Sequence, residues 1–156
     1  VTSLYQSLRK DSIALGEKRD CAVIATAVVT GVSYKEAHRA LSANGRKDRD
    51  GTEMRITTRA IEDLGFHCTV LKGWQLATLH DGRKNFVHVT PPPGHRLHKA
   101  KTYLSAQRVL SRHFRGRKFL LRVNGHIAGF DGEQVQDWAA GRRHRIIEII
   151  EVRSIK

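Results

Sequence analysis

Cys21, His126 and Asp137 are the residues of this 156-residue chain whose types and spacing could carry covalent catalysis. A thiol nucleophile needs a base that takes its proton and returns one to the leaving group, and a third group that holds the imidazole in one tautomer. Cys21 opens the apolar run Cys21-Ala22-Val23-Ile24-Ala25-Thr26-Ala27-Val28-Val29, directly after Asp20. At the first turn of a helix, unpaired backbone N–H groups and the positive end of the helix dipole favour thiolate over thiol. Alone, Cys21 reads equally as a small apolar residue of a core helix, because free cysteine is commonly buried. His126 and Asp137 are what turn the reading toward a nucleophile.

Asp131-Gly132 is the strongest hairpin signal in the chain, since a two-residue turn needs positive φ and this pair tolerates it. Ile127 to Phe130 are then expected to pair with Glu133 to Gln136. His126 and Asp137 lie equally far from that turn, so antiparallel pairing makes them neighbours across the ladder. Asp131 also follows His126 and is the other candidate for the orienting acid. Its place in the turn gives it a structural reason to be there, and Asp137 is preferred.

The elements that must position these groups are mainly helical in the first half and stranded in the last. Leu4, Tyr5 and Leu8 form one short amphipathic face. The Cys21 run is apolar almost all round and stops at Thr30-Gly31, as a buried helix does. Ser33 and Glu36 form a capping box for a helix from about Tyr34 to Ala43, closed by Gly45. Thr52 offers an N-cap to a third helix carrying Met54, Ile56, Ala60, Ile61 and Leu64, with Gly65 past its end. Phe66 to Leu71 has strand composition, and Asn85 to Val89 is a second short strand before the breaker Pro91-Pro92-Pro93-Gly94. Tyr103, Leu104, Val109, Leu110 and Phe114 recur at helical spacing. Lys118 to Val123, a strand from His126, and Arg145 to Val152 complete the expected set. The fold class is therefore α+β, a single domain over residues 1–156 with its core at about 20–152.

In these stretches the chain resembles small papain-like cysteine peptidase domains of compact bacterial and phage type, distantly like bacteriocin-processing peptidases. Asp20-Cys21-Ala22-Val23-Ile24-Ala25 through Thr30-Gly31-Val32-Ser33-Tyr34-Lys35-Glu36-Ala37 is similar to the nucleophile helix, its glycine stop and the next helix. Gly116 to Gly132, with His126, is similar to the family's strand, histidine and Asp-Gly hairpin, and Asp137-Trp138 falls where the orienting acid would be. The resemblance implies a nucleophile helix packed on a C-terminal antiparallel sheet, with Cys21 as nucleophile, His126 as base and Asp137 as its partner. One departure stands out. The family usually places an amide side chain a few residues before the cysteine to bind the oxyanion, whereas Leu15, Gly16, Glu17, Lys18 and Arg19 carry none. Gln6 is a distant substitute, backbone N–H groups at the helix start can serve, and Lys18 or Arg19 can add positive charge. Loss of one such donor commonly costs about 100- to 1,000-fold in rate.

Composition sets the remaining bounds. Two cysteines outside any CxxC pair exclude a disulfide scaffold and a four-cysteine zinc site. No run of about 18 apolar residues is present and Val1-Thr2-Ser3 lacks a secretory pattern. The expected setting is a reducing cytoplasm, or a host cytoplasm or virion if the chain is phage-encoded, with no transmembrane segment. The net charge of +13 is uneven, for Gly82 to Phe130 holds no Asp or Glu while Arg83, Lys84, Arg96, Lys99, Arg108 and Arg112 are among its cations. The Gly82–Lys118 stretch is thus a candidate face for an anionic partner, whether nucleic acid, an acidic protein or a lipid surface. His95 and His98, with His80 or His88, match no zinc spacing and sit among cations, so no metal or cofactor is expected. Cys68 follows His67 in a strand that points them to opposite faces, and is assigned to the core.

Two functions follow. The first is thiol-dependent hydrolysis of a peptide, isopeptide or related amide bond in a protein or peptide substrate. The alternative is a catalytically degenerate papain-like protein, for example a phage-encoded binding or structural component, that docks to nucleic acid or an acidic protein through its basic face.

Overall fold

The computed structural model describes residues 3–71, 102–138 and 146–155. Among these, five helices and one antiparallel five-stranded sheet make an α+β fold. The elements in chain order are α1 (Leu4–Ala14), α2 (Cys21–Thr30), α3 (Tyr34–Ala43), α4 (Met54–Asp63), β1 (Phe66–Leu71), α5 (Tyr103–His113), β2 (Lys118–Val123), β3 (His126–Phe130), β4 (Val135–Gln136) and β5 (Ile146–Ser154). The sheet order is β1-β5-β2-β3-β4, so the last strand inserts between the first and the second. The expected strand at Asn85 to Val89 and the proline run after it lie outside the described residues.

Local chemistry explains most helix ends. Ser3 and Gln6 close a full capping box on α1 that the spacing of Leu4, Tyr5 and Leu8 did not advertise. At α3 only half of the expected box forms: Ser33 Oγ accepts from the Glu36 N–H at 3.2 Å, while the two side chains face each other at 3.5 Å. The α4 cap is Glu53 rather than Thr52, and it makes no side-chain capping bond. Gly31 ends α2 in the left-handed region at φ 78°, its N–H reaching Ala27 O at 2.9 Å, which a glycine does at little cost.

Side-chain alternation sorts the sheet into two apolar faces. On one, Leu120, Ile127, Ile150 and Val152 pack with residues of α1 to α4. On the other, Phe119, Leu121, Phe130 and Ile149 pack with Tyr103, Ala106, Leu110 and Phe114 of α5 and its end. α2, apolar all round, is buried between its neighbours and β3.

The hairpin forms, with a different register from the expected one. Phe130 pairs with Val135 and Gly129 with Gln136, so four residues rather than two make the connection. The Asp131 side chain is the reason. Its Oδ1 accepts from the N–H groups of Glu133 and Gln134 at 2.8 and 2.9 Å, and its Oδ2 accepts from Gln136 Nε2 at 2.9 Å. These bonds hold a wider turn, a role typical of aspartate. They also engage both oxygens of Asp131, away from His126.

Candidate active site

The cysteine is placed by two buried carboxylates that flank the exposed pair Lys18-Arg19. Asp20 stands at the N-cap of α2 but does not cap it. Its Oδ2 instead accepts from the Tyr34 hydroxyl at 2.6 Å and from the Ser12 hydroxyl, tying the α2 start to α1 and α3. Glu17 accepts from Arg46 Nη1 and Nη2 at 3.0 and 3.2 Å, from the Arg49 N–H at 2.7 Å and from His38. Burial pushes the Glu17 carboxyl up, but the bonds from Arg46, His38 and Arg49 overcome that and lower it to about 2. The chain entering α2 is thus anchored at both ends, and Cys21 begins the helix with its N–H among the groups that no helical turn satisfies.

His126 opens β3 after the Asn124-Gly125 turn, and Asp137 follows the last residue of β4. His126 Nε2 donates to Asp137 Oδ2 at 2.8 Å, with the Asp137 side chain only 4% exposed. Cys21 lines the same cleft wall as this imidazole. Burial pushes the imidazole down, yet the hydrogen bonds and charges of Asp137 and Cys21 outweigh it and raise His126 to about 10. Tyr103 presents a T-shaped ring contact at 6.5 Å and Trp138 a tilted one at 5.5 Å. All three sequence-derived residues are therefore brought together. They meet around the end of the ladder, because in the observed register Asp137 is not the cross-strand partner of His126.

A cleft of about 880 Å³ opens over them, with Cys21, His126 and Asp137 in its wall beside Ile24, Met54 and Trp138. Tyr5 enters from α1, whose N-terminal end is fastened to β4 by the buried Gln136, the Oε1 of which accepts from the Tyr5 N–H at 2.9 Å. No Asn or Gln side chain is among the described residues lining the cleft. Gln6 is not among the described residues lining the cleft, and its Oε1 accepts from the Ser3 N–H in the α1 capping box. Lys18 and Arg19 do line the cleft. An acyl carbonyl beside Cys21 would meet the thiol, the imidazole and the helix-start N–H of Cys21 together. That set can add a nucleophile to the carbonyl and shuttle its proton.

Sequence reasoning missed the supports: Ser12 and Tyr34 beneath Asp20, Arg46 and His38 around Glu17, and Gln136 under Tyr5. Their partners lie up to 131 residues away, and no spacing rule announces them. Cys68 lies in β1 against the helical core, and its thiol is pushed up to about 11, first by burial and then by Glu62. Glu17, His38 and Asp48 approach one another closely enough to suggest a cation site. The Arg46 guanidinium already takes both Glu17 oxygens, which makes the group an ion-pair network. His80, His88, His95 and His98 lie outside the described residues.

Much of the Gly82–Lys118 stretch lies outside them too. Within the described part, Arg115 pairs with Glu133, Arg117 with Glu151, and Lys118 reaches the Asp131 carbonyl, while Arg108 and Arg112 are exposed on α5. Among the described residues no helix is long and apolar enough to cross a membrane. No family model, no curated protein and no solved structure matches this chain.

Proposed function

We propose that this chain is a papain-like cysteine hydrolase that cleaves a peptide, isopeptide or related amide bond. The observation that carries the reading is the His126–Asp137 hydrogen bond in the wall of an open cleft that Cys21 also lines at the start of α2. Cys21 Sγ attacks the substrate carbonyl carbon as His126 takes the thiol proton, and the resulting oxyanion faces the Cys21 N–H. The His126 imidazolium gives its proton to the departing amine as the C–N bond breaks, leaving a thioester on Cys21. His126, now neutral, takes a proton from water as its oxygen attacks the thioester. The carboxylic acid is released and His126 returns its proton to the Cys21 sulfur. Asp137 keeps the ring oriented throughout.

The test is the rate at which iodoacetamide alkylates each cysteine, read by mass spectrometry of the two cysteine peptides. Cys21 is expected to react much faster than Cys68, and His126→Ala to remove the difference. Equal, slow labelling of both would sink the proposal.

One observation favours a second reading, a papain-like protein that has lost hydrolysis and binds nucleic acid or an acidic protein. It is the lack of an Asn or Gln side chain among the described residues lining the cleft, together with the exposed Arg108 and Arg112. Retention of a DNA or RNA mixture that weakens steeply between about 50 and 200 mM salt would support it through counterion release.

A further inference from the structure

The segment Glu17-Lys18-Arg19-Asp20 turns its acids inward and its bases outward. Glu17 and Asp20 are buried at 7% and 5% exposure, each hydrogen-bonded by the partners described above, whereas Lys18 and Arg19 are exposed in the cleft wall immediately before the nucleophile helix. Arg19 is held at φ 52°, a left-handed conformation that a residue with a Cβ keeps only where its surroundings impose it. Arg19 lies between the two anchored carboxylates, Glu17 and Asp20. Neither Lys18 nor Arg19 makes an ion pair among the described residues.

The other charges of the cleft do not cancel this pair. Asp137 is paired with His126, while Asp20 keeps its negative charge because its Tyr34 and Ser12 partners are neutral hydroxyls; the lining cations Arg9, Lys18, Arg19 and Arg122 still outnumber the carboxylates Asp20, Glu53 and Asp137. Arg9 adds a further cation, and Arg122 stands across the cleft beside Glu148. Glu53 is the remaining carboxylate of the lining, exposed and 3.8 Å from Arg55.

We infer that Lys18 and Arg19 make the cleft selective for acidic peptides, pairing with an Asp or Glu side chain close to the carbonyl that faces Cys21. The inference rests on the hydrolase reading for the bond that is acted upon. A cleft of about 880 Å³ with Ile24, Met54 and Trp138 in its wall suits a few peptide side chains, some apolar and one anionic, better than a nucleic-acid backbone.

The experiment compares two unreactive fluorescent peptides that differ only in a central Glu or Lys, binding to the full chain carrying Cys21→Ser. The acidic peptide is expected to bind about five- to tenfold tighter at about 20 mM salt, with the ratio shrinking at about 300 mM as the exposed charges are screened. In Lys18→Ala/Arg19→Ala the ratio is expected to approach one. Because both peptides meet the same protein, a general loss of affinity cancels from the ratio. Equal binding in the parent, a preference for the basic peptide, or an acidic preference that survives the double substitution would overturn the inference. Alkylation of Cys21 decides the hydrolase reading separately. Acidic preference beside an inert Cys21 would leave a binding cleft, and a reactive Cys21 without preference would end only this inference.

Discussion

Gly129 of β3 lies so close to Val28 of α2 that a Cβ added to it would sit 2.8 Å from the Val28 Cβ and 3.1 Å from the Ala25 carbonyl oxygen. The helix that carries Cys21 and the strand that carries His126 are therefore in backbone-to-side-chain contact with no room for a methyl group. The separation of thiol and imidazole depends on that contact. Gly129→Ala is expected to destabilise the fold by about 1–3 kcal/mol, the usual cost of overpacking, and to slow Cys21 alkylation. Urea denaturation and the alkylation rate check this. Adding Val28→Ala should restore part of the reactivity, and a single variant as stable and reactive as the parent would refute the packing argument.

The charge state of His126 makes a pH prediction. Its imidazole is raised to about 10 against an ordinary value of 6.5. A group whose folded value is raised contributes stability in full below its unfolded value, and that contribution is lost as pH rises through the folded value. Stability should therefore fall between about pH 6.5 and 10. In Asp137→Ala, burial loses its main opponent, so the imidazole should titrate well below 10 and the fall in stability should become smaller. NMR titration of the ring and urea midpoints at several pH values measure both. An imidazole that titrates alike in the two proteins would contradict the assigned bond.

Glu17 and Arg46 test the anchoring of the chain before Cys21. Their side chains are 2% and 0% exposed. Removing one partner leaves a buried charge uncompensated, so Glu17→Gln or Arg46→Met should each cost about 3–5 kcal/mol. The Glu17 carboxyl is lowered to about 2 from 4.5, which makes its contribution present above the unfolded value and lost as pH falls through the folded one. The parent should thus lose stability below about pH 4.5 more than Glu17→Gln does. Denaturant midpoints at pH 7 and pH 3 read the difference.

Cys68 supplies an internal control. With its thiol pushed up to about 11 by burial and Glu62, it should stay almost unlabelled by iodoacetamide at pH 7.5 in the folded protein. In concentrated urea both cysteines become ordinary thiols near pKa 8.5, and their labelling rates should converge. A ratio that persists in urea would trace the difference to neighbouring sequence rather than to the fold.

The strand spans Phe66–Leu71 and Lys118–Val123, the α3 span Tyr34–Ala43 and the α2 stop at Gly31 were all legible in the sequence. Each rests on local signals, namely side-chain period, a serine cap or a glycine able to take positive φ. The candidate trio was legible for a related reason: a cysteine at a helix start, a histidine at a strand start and an acid beyond a hairpin are patterns that survive without knowledge of packing. Smaller errors followed where two local solutions compete. Thr52 and Glu53 both suit an N-cap, and Asp131-Gly132 allows a tight turn as readily as the wider one its own carboxylate holds.

What the amino-acid order determined by itself is the set of elements and the chemistry available at their ends. Only the tertiary structure decided that Asp137 meets His126 around the end of the ladder, that Gly129 admits α2 onto β3, and that Asp20 turns away from its helix to Tyr34 and Ser12. The physical reason is common to all three. A buried polar group or a close backbone approach is satisfied by whichever residue the packing delivers, and the contributors here come from segments that sequence distance does not relate.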